Sequence, residues 1–126
     1  MEFEMTEQGF KVPFDFGELE ISGNEAYGFR PYQLMAASIA GCSGGVLRQI
    51  LVKKKLEVED IAISAEVTRN EAEANRIEKI SLHYAIKGTN LEETKIKKAI
   101  DLVKRNCSMA RSVEGSIEIE ETFEIV

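Results

Sequence analysis

Apolar residues in the first part of the chain fall on every second position: Phe3 and Met5, then Val12, Phe14 and Phe16, then Leu19 and Ile21. Glu7-Gln8-Gly9, Pro13 and Gly17 interrupt the alternation, which is the period of short strands with one buried face. Two or three antiparallel strands are expected, closed by Ser22-Gly23-Asn24. From Pro31 to about Lys55 the period becomes helical, and Pro31 suits a first turn because its missing N–H has no partner there anyway. Leu34, Met35, Ile39, Cys42, Val46, Leu47, Ile50 and Leu51, with the alanines between them, leave this helix without a broad polar face. Such a helix is expected to be buried. Its charges arrive at Arg48 and Lys53-Lys54-Lys55, a solvated end whose sign suits the helix dipole.

Alternation returns at Ile61, Ile63, Ala65 and Val67 and again at Ile80, Leu82, Tyr84 and Ile86, predicting a hairpin across the polar RNEAEANR segment. Thr89 or Asn90 is expected to cap a second helix, amphipathic this time, with Leu91, Ile96, Ala99, Ile100, Val103 and Cys107 on its apolar face. Ile117, Ile119, Phe123 and Ile125 then share one face of a closing strand, and Glu121 is an acid in phase with that apolar set. Strand pairs segregated from helices predict an α+β fold, with helices packed on antiparallel sheet, in a single domain spanning 1–126. One sheet in so short a chain cannot surround a helix that is apolar all round. A second copy is therefore expected to cover it, in an intertwined homodimer.

Composition narrows the partners. Twenty-two acidic against sixteen basic residues give a formal charge of −6, with no basic stripe for counterion release, so nucleic acid is not expected. The first residues, MEFEMTEQGF, are acidic rather than basic, and no apolar stretch is expected to reach the roughly 18 residues that span a bilayer. The expectation is a cytoplasmic protein without membrane contact. Two cysteines without a Cys-x-x-Cys, and one isolated histidine, His83, argue against a metal site or a bound cofactor. His83 lies out of phase with Leu82 and Tyr84 and is expected on the opposite face of its strand, with no chemistry.

The cysteines carry the candidate chemistry. Each sits on an apolar stripe, where burial makes a thiol inert, but Gly41, Ser43, Gly44 and Gly45 around Cys42 each lower helix propensity, Gly by about 1 kcal/mol against Ala. Something must approach that backbone closely: a neighbouring helix, or a substrate in a small cleft. Arg30, at the mouth of the helix, and Arg111, four residues after Cys107, are candidate cations for a thiolate, and Tyr27 and Tyr32 could close a pocket. Gln33 could hydrogen-bond a peroxide oxygen or Arg30.

The stretch PYQLMAASIAGCSGGVL, with its initial Pro31, Ala-rich run and cysteine eleven positions after the proline, resembles the signature of the OsmC/Ohr family, and NCSMARSV resembles the segment around that family's second cysteine. The resemblance implies an α+β fold with two central helices, an intertwined dimer, and thiol-dependent reduction of hydroperoxides, organic ones especially and hydrogen peroxide besides. It implies that Cys42 is the peroxidatic thiolate, that Cys107 is the resolving thiol that closes a Cys42–Cys107 disulfide, and that an external dithiol, a lipoylated protein in the best-understood relatives, restores both. Ohr-type members also have an Arg from the N-terminal region and a Glu directly after the helix-initiating Pro. Here Tyr32 stands at the Glu position and Gln33 follows, where another branch places an acid, so neither supplies a carboxylate. Two rival readings therefore stand beside the peroxidase: a redox-sensing or non-catalytic dimer that binds an apolar small molecule, and a stability-driven dimer with two core cysteines.

Overall fold

A computed structural model describes residues 1–126. Internal contacts divide the chain into two compact units, Met1–Ala37 and Ser38–Val126, with the division falling inside a helix.

The first unit holds an antiparallel sheet of β1 (Glu4–Met5), β2 (Phe10–Pro13) and β3 (Glu18–Ile21) in sequence order, as the alternation predicts. Its apolar face is another matter. Val12 is fully buried, but Phe3, Met5, Phe14 and Phe16 are exposed within the single chain, so the expected buried face is largely uncovered. A single bridge between Ile21 and Phe29 leads the chain to α1 (Pro31–Lys53), which begins in this unit.

In the second unit, α1 contributes Ile39, Leu47 and Leu51 to the core. Only a third of its most apolar window is buried, against the expectation of burial all round. A further expectation needs correcting: by length and composition α1 is apolar enough to cross a membrane. Its alanines, glycines and serines are near-neutral and do not interrupt the apolar count, a property that core helices of soluble proteins share. The hairpin is longer than its apolar runs, with β4 (Glu57–Asn70) paired to β5 (Arg76–Thr89) around a 3-10 turn at Glu71–Glu73. Ile80, Leu82, Tyr84 and Ile86 of β5 are buried, while Lys79, His83 and Lys87 on its other face pair with Glu120, Glu124 and Glu59.

The second helix, α2 (Glu93–Asn106), buries Ile96, Ala99, Ile100 and Val103. Neither Thr89 nor Asn90 caps it: Thr89 ends β5, Asn90 has a φ of 55° suited to a sharp turn, and Glu92 occupies the cap position. Cys107 is not in α2 either. Its extended backbone breaks the helix and starts a third, α3 (Ser108–Ser112), which the two-helix expectation omits. The last strand, β6 (Glu118–Ile125), runs parallel to β5, so the sheet is mixed rather than wholly antiparallel. The reason is topological, because the chain leaves β5, crosses over through α2 and α3, and returns in the same direction.

Candidate functional site

Cys42 and Cys107 come together, from the middle of α1 and from the break between α2 and α3. Cys107 is fully buried and Cys42 is partly exposed, and both are free thiols. The break does two things for the site. It frees the first backbone N–H groups of α3, which have no partners within the helix, and it aims the Cys107 sulfur back into the core, where Sγ accepts the Ala110 N–H at 3.4 Å and the Ser43 hydroxyl at 3.3 Å.

Cys42 lies at the start of α3. Its Sγ is 3.7 Å from Ser108 Oγ. The Met109 N–H is the largest influence lowering the Cys42 thiol below the ordinary value; burial opposes it, and the Cys107 thiol and the Ser108 hydroxyl and N–H add to it. Burial pushes Cys107 the other way, above the ordinary value, although Ser43 and Ala110 offset part of that. The two sulfurs are thus differentiated: the accessible one is the better anion and the enclosed one holds its proton. The groups acting on Cys42 are hydrogen-bond donors rather than a cation.

The other candidates are placed as follows. Arg30 lies in the first unit, with its guanidinium 4.8 Å from the centre of the Tyr32 ring, and Gln33 is exposed in the first turn of α1. Arg111 does not serve Cys42: its Nε donates to Glu114 at 2.9 Å and its guanidinium to the Arg105 carbonyl at 3.3 Å, because Glu114 sits one turn on along the same face. Tyr27 is exposed. His83, on the opposite face from Leu82 and Tyr84, meets Thr122 and Glu124. No group of three His, Cys, Asp or Glu side chains is placed to hold a metal ion.

Sequence reasoning missed Ser43, Ser108 and the Met109 N–H as partners of the sulfurs. Ser43 stood out only for its poor helix propensity, and a backbone N–H leaves no mark in a sequence until the helix break is known. Of the three neighbouring glycines, Gly44 has a close approach within the chain, since a Cβ there would lie 2.6 Å from Ile63 Cδ1 on β4. Gly41 and Gly45 meet nothing within 4 Å of where a Cβ would stand.

Comparison with known proteins places the family and the fold. The profile described as "OsmC-like protein" matches residues 22–122. Protein YhfA of Escherichia coli K12 is 27% identical over 97 residues, which cover 76% of this chain and 72% of that protein. The crystal structure of a hypothetical protein from Aquifex aeolicus superposes with a TM-score of 0.88 at 30% identity, covering 99% of this chain and 93% of that one. An organic hydroperoxide resistance protein OsmC from Legionella pneumophila shares the fold, with a TM-score of 0.76 at 19% identity over 98% of this chain and 93% of that one.

Proposed function

The chain belongs to the OsmC-like protein family, and on that footing we propose that it reduces organic hydroperoxides through Cys42 and Cys107. The observation that carries this reading is the convergence of an accessible thiol held below its ordinary pKa with a buried thiol held above it. An inert structural pair needs no such division. A thiolate, not a thiol, is the nucleophile, and partial exposure with nearby donors is what marks a reactive cysteine.

In the proposed cycle the Cys42 thiolate attacks the outer peroxide oxygen. An S–O bond forms, the O–O bond breaks, and the alkoxide leaves and takes a proton to become the alcohol, so that the peroxide is reduced and Cys42 is oxidised to a sulfenic acid. Cys107 then attacks the Cys42 sulfur, the S–O bond breaks, and the thiol proton and the departing hydroxide make water as the disulfide closes. An external dithiol reduces that disulfide by exchange and leaves as its own cyclic disulfide. The name of the Legionella protein, with its hydroperoxide resistance, supports the substrate class. The donors at the start of α3 take the place of the cation that an arginine supplies in the Ohr-type design.

The homodimer belongs to the same proposal. The open backbone at Gly41 and Gly45 and the exposed Phe3, Phe14 and Phe16 are the surfaces that a second copy would cover.

The test is to add cumene hydroperoxide to the reduced protein and to its Cys107→Ser variant. The wild type is expected to lose both thiols rapidly, and the variant to accumulate a sulfenic acid at Cys42 that dimedone traps. Thiols that stay reduced in both would overturn the proposal.

A further inference from the structure

Lys97, Lys98, Lys104 and Arg105 are exposed on α2, away from its buried Ile96, Ala99, Ile100 and Val103. Asp101, Lys104 and Arg105 follow Lys97 by four, seven and eight positions, so they share one face of the helix. From Glu93 to Ser112, α2 and α3 hold six basic side chains against Glu93 and Asp101, a net +4, so the remainder of this −6 chain stands at −10. The absence of a basic stripe, expected from composition, thus holds for the chain as a whole and not for this helix. Lys97, Lys98, Lys104 and Arg105 form no ion pair, whereas Lys79, Lys87, Lys95 and Arg111 each lie against a glutamate. The basic row also ends at the site: Asn106 closes α2, Cys107 is the break, and Ser108 Oγ is 3.7 Å from Cys42 Sγ. Lys53-Lys54-Lys55, the other basic cluster, begins eleven residues along α1 from Cys42, about 16 Å at the helical rise.

We propose that the exposed basic face of α2 docks the reductant, and that this reductant is a dithiol carried on a short acidic polypeptide segment. The inference rests on the reading of Cys42 and Cys107 as a pair that closes a disulfide. Charge selects the partner, because a basic row on an otherwise acidic surface steers a negative segment to one place. Lys97 to Arg105 spans about 12 Å of helix, the reach of a few acidic residues; a nucleic acid duplex extends past it onto the acidic remainder. Asp101, Lys104, Arg105, Arg111 and Glu114 line a cleft of about 350 Å³ at the end of the row, which gives the docked segment a seat. In the exchange, a thiolate of the donor attacks Cys42, the accessible sulfur. The Cys42–Cys107 bond breaks, and Cys107 leaves as a thiolate towards the Ala110 N–H and the Ser43 hydroxyl that already donate to it, then takes up a proton. The donor's second thiol gives its proton to solvent and attacks the mixed disulfide; Cys42 leaves as a thiolate, and the donor departs as a disulfide, having passed two electrons to the protein.

The test closes the disulfide with diamide, a thiol oxidant that needs no peroxidase activity, and follows its reduction by a Cys-Gly-Pro-Cys peptide flanked by glutamates, the same peptide flanked by lysines, and neutral dithiothreitol. Each rate is normalised to that on hydroxyethyl disulfide, which removes differences between the donors' own thiols. At low ionic strength the glutamate peptide is expected to be about 10-fold faster than the lysine peptide, and the difference should vanish at ~1 M salt, where charges are screened beyond about 3 Å. Lys97→Glu, Lys98→Glu and Arg105→Glu combined should reverse the order and leave the dithiothreitol rate unchanged, which also reports that the variant is folded. Lys104 is kept out of that variant because it also faces Glu121, the half-buried acid of β6 whose Oε1 accepts the Tyr84 hydroxyl at 3.0 Å. Lys53→Glu, Lys54→Glu and Lys55→Glu combined should change nothing. Equal rates for the two peptides in the wild type, or an order that survives the α2 reversal, overturn the docking face; so does a short DNA duplex that binds the wild type more tightly than the glutamate peptide. If the α2 variant does not fold, the wild-type order and its salt dependence decide. A protein that hydroperoxide leaves reduced but that shows this order loses the peroxidase reading and keeps the docking face, one that hydroperoxide oxidises without the order loses the docking face alone, and cysteines that diamide does not join overturn both.

Discussion

The Ser43 hydroxyl donates to the Cys107 sulfur at 3.3 Å, and the residue before it in α1 is Cys42. Two consecutive helix positions thus serve the two thiols: Cys42 lies against the Ser108 hydroxyl at the start of α3, and Ser43 holds the sulfur that sits in the break before it. The distinct environments of the cysteines follow from this adjacency together with the end of α2 at Asn106.

The division between the thiols is expected to show in alkylation by iodoacetamide. With Cys107→Ser isolating Cys42, the half-point of the rate should lie below the ordinary thiol value of about 8.5; with Cys42→Ser isolating Cys107, it should lie above. Equal half-points would mean that the donors around Cys42 have no effect on its ionisation.

Ser108→Ala removes the hydroxyl 3.7 Å from Cys42 but leaves the Met109 N–H, the larger influence, in place. The Cys42 half-point should rise slightly, and the rate of sulfenic acid formation at pH 7 should fall by about two- to threefold. That is about 0.5 kcal/mol, the low end of the range for an ordinary hydrogen bond, as suits a long contact to sulfur. A loss of a hundredfold or more would show that Ser108 has a larger task than donating to the thiolate.

The three glycines of α1 should respond differently to alanine. Gly44→Ala drives a Cβ against Ile63 Cδ1, the far end of a flexible, half-buried side chain, so its overpacking cost should stay at the low end, about 1 kcal/mol, and nearly cancel the ~1 kcal/mol that alanine gains in helix propensity. Ile63→Val, which removes that Cδ1, should release the gain. Gly41→Ala and Gly45→Ala meet open space within one chain, so a monomer should gain about 1 kcal/mol from each. In the proposed dimer they should instead weaken association. Sedimentation at micromolar concentration, with thermal unfolding, distinguishes the two outcomes.

Burial raises Glu121 in the folded state. Its favourable contribution is therefore present below the ordinary glutamate value of about 4.3 and is lost as pH rises through the raised native value. At pH 7 the wild type holds a desolvated carboxylate, whereas Glu121→Gln keeps an acceptor for Tyr84 without the charge. The variant should melt at a higher temperature than the wild type at pH 7, and the difference should shrink towards pH 4. A variant less stable at pH 7 would mean that the Tyr84 bond outweighs the burial of charge.

Much of this was legible in the sequence. The change from period two to helical period located the strands and the two longer helices, though not their division into two sheets, and the motif around Cys42 carried the family. The break at Cys107 was not legible, because Cys107 continues the Ile96, Ile100 and Val103 stripe and only its extended backbone ends the helix. The parallel course of β6 was hidden for a similar reason: alternation reveals a strand but not its direction. Phe3, Met5, Phe14 and Phe16 alternate as a buried face should, yet one chain does not cover them. Glu121 was visible as an acid out of place, but its partner, Tyr84, lies on the adjacent strand, and strand pairing cannot be read from spacing alone.

Peptide mapping with intact mass, after one equivalent of cumene hydroperoxide is added to the reduced protein, tests the central claim most directly. The account predicts a protein lighter by two hydrogens, with the peptides of Cys42 and Cys107 joined by a disulfide within one chain. An unchanged mass, or an oxygen retained on Cys42 with Cys107 still free, would contradict it.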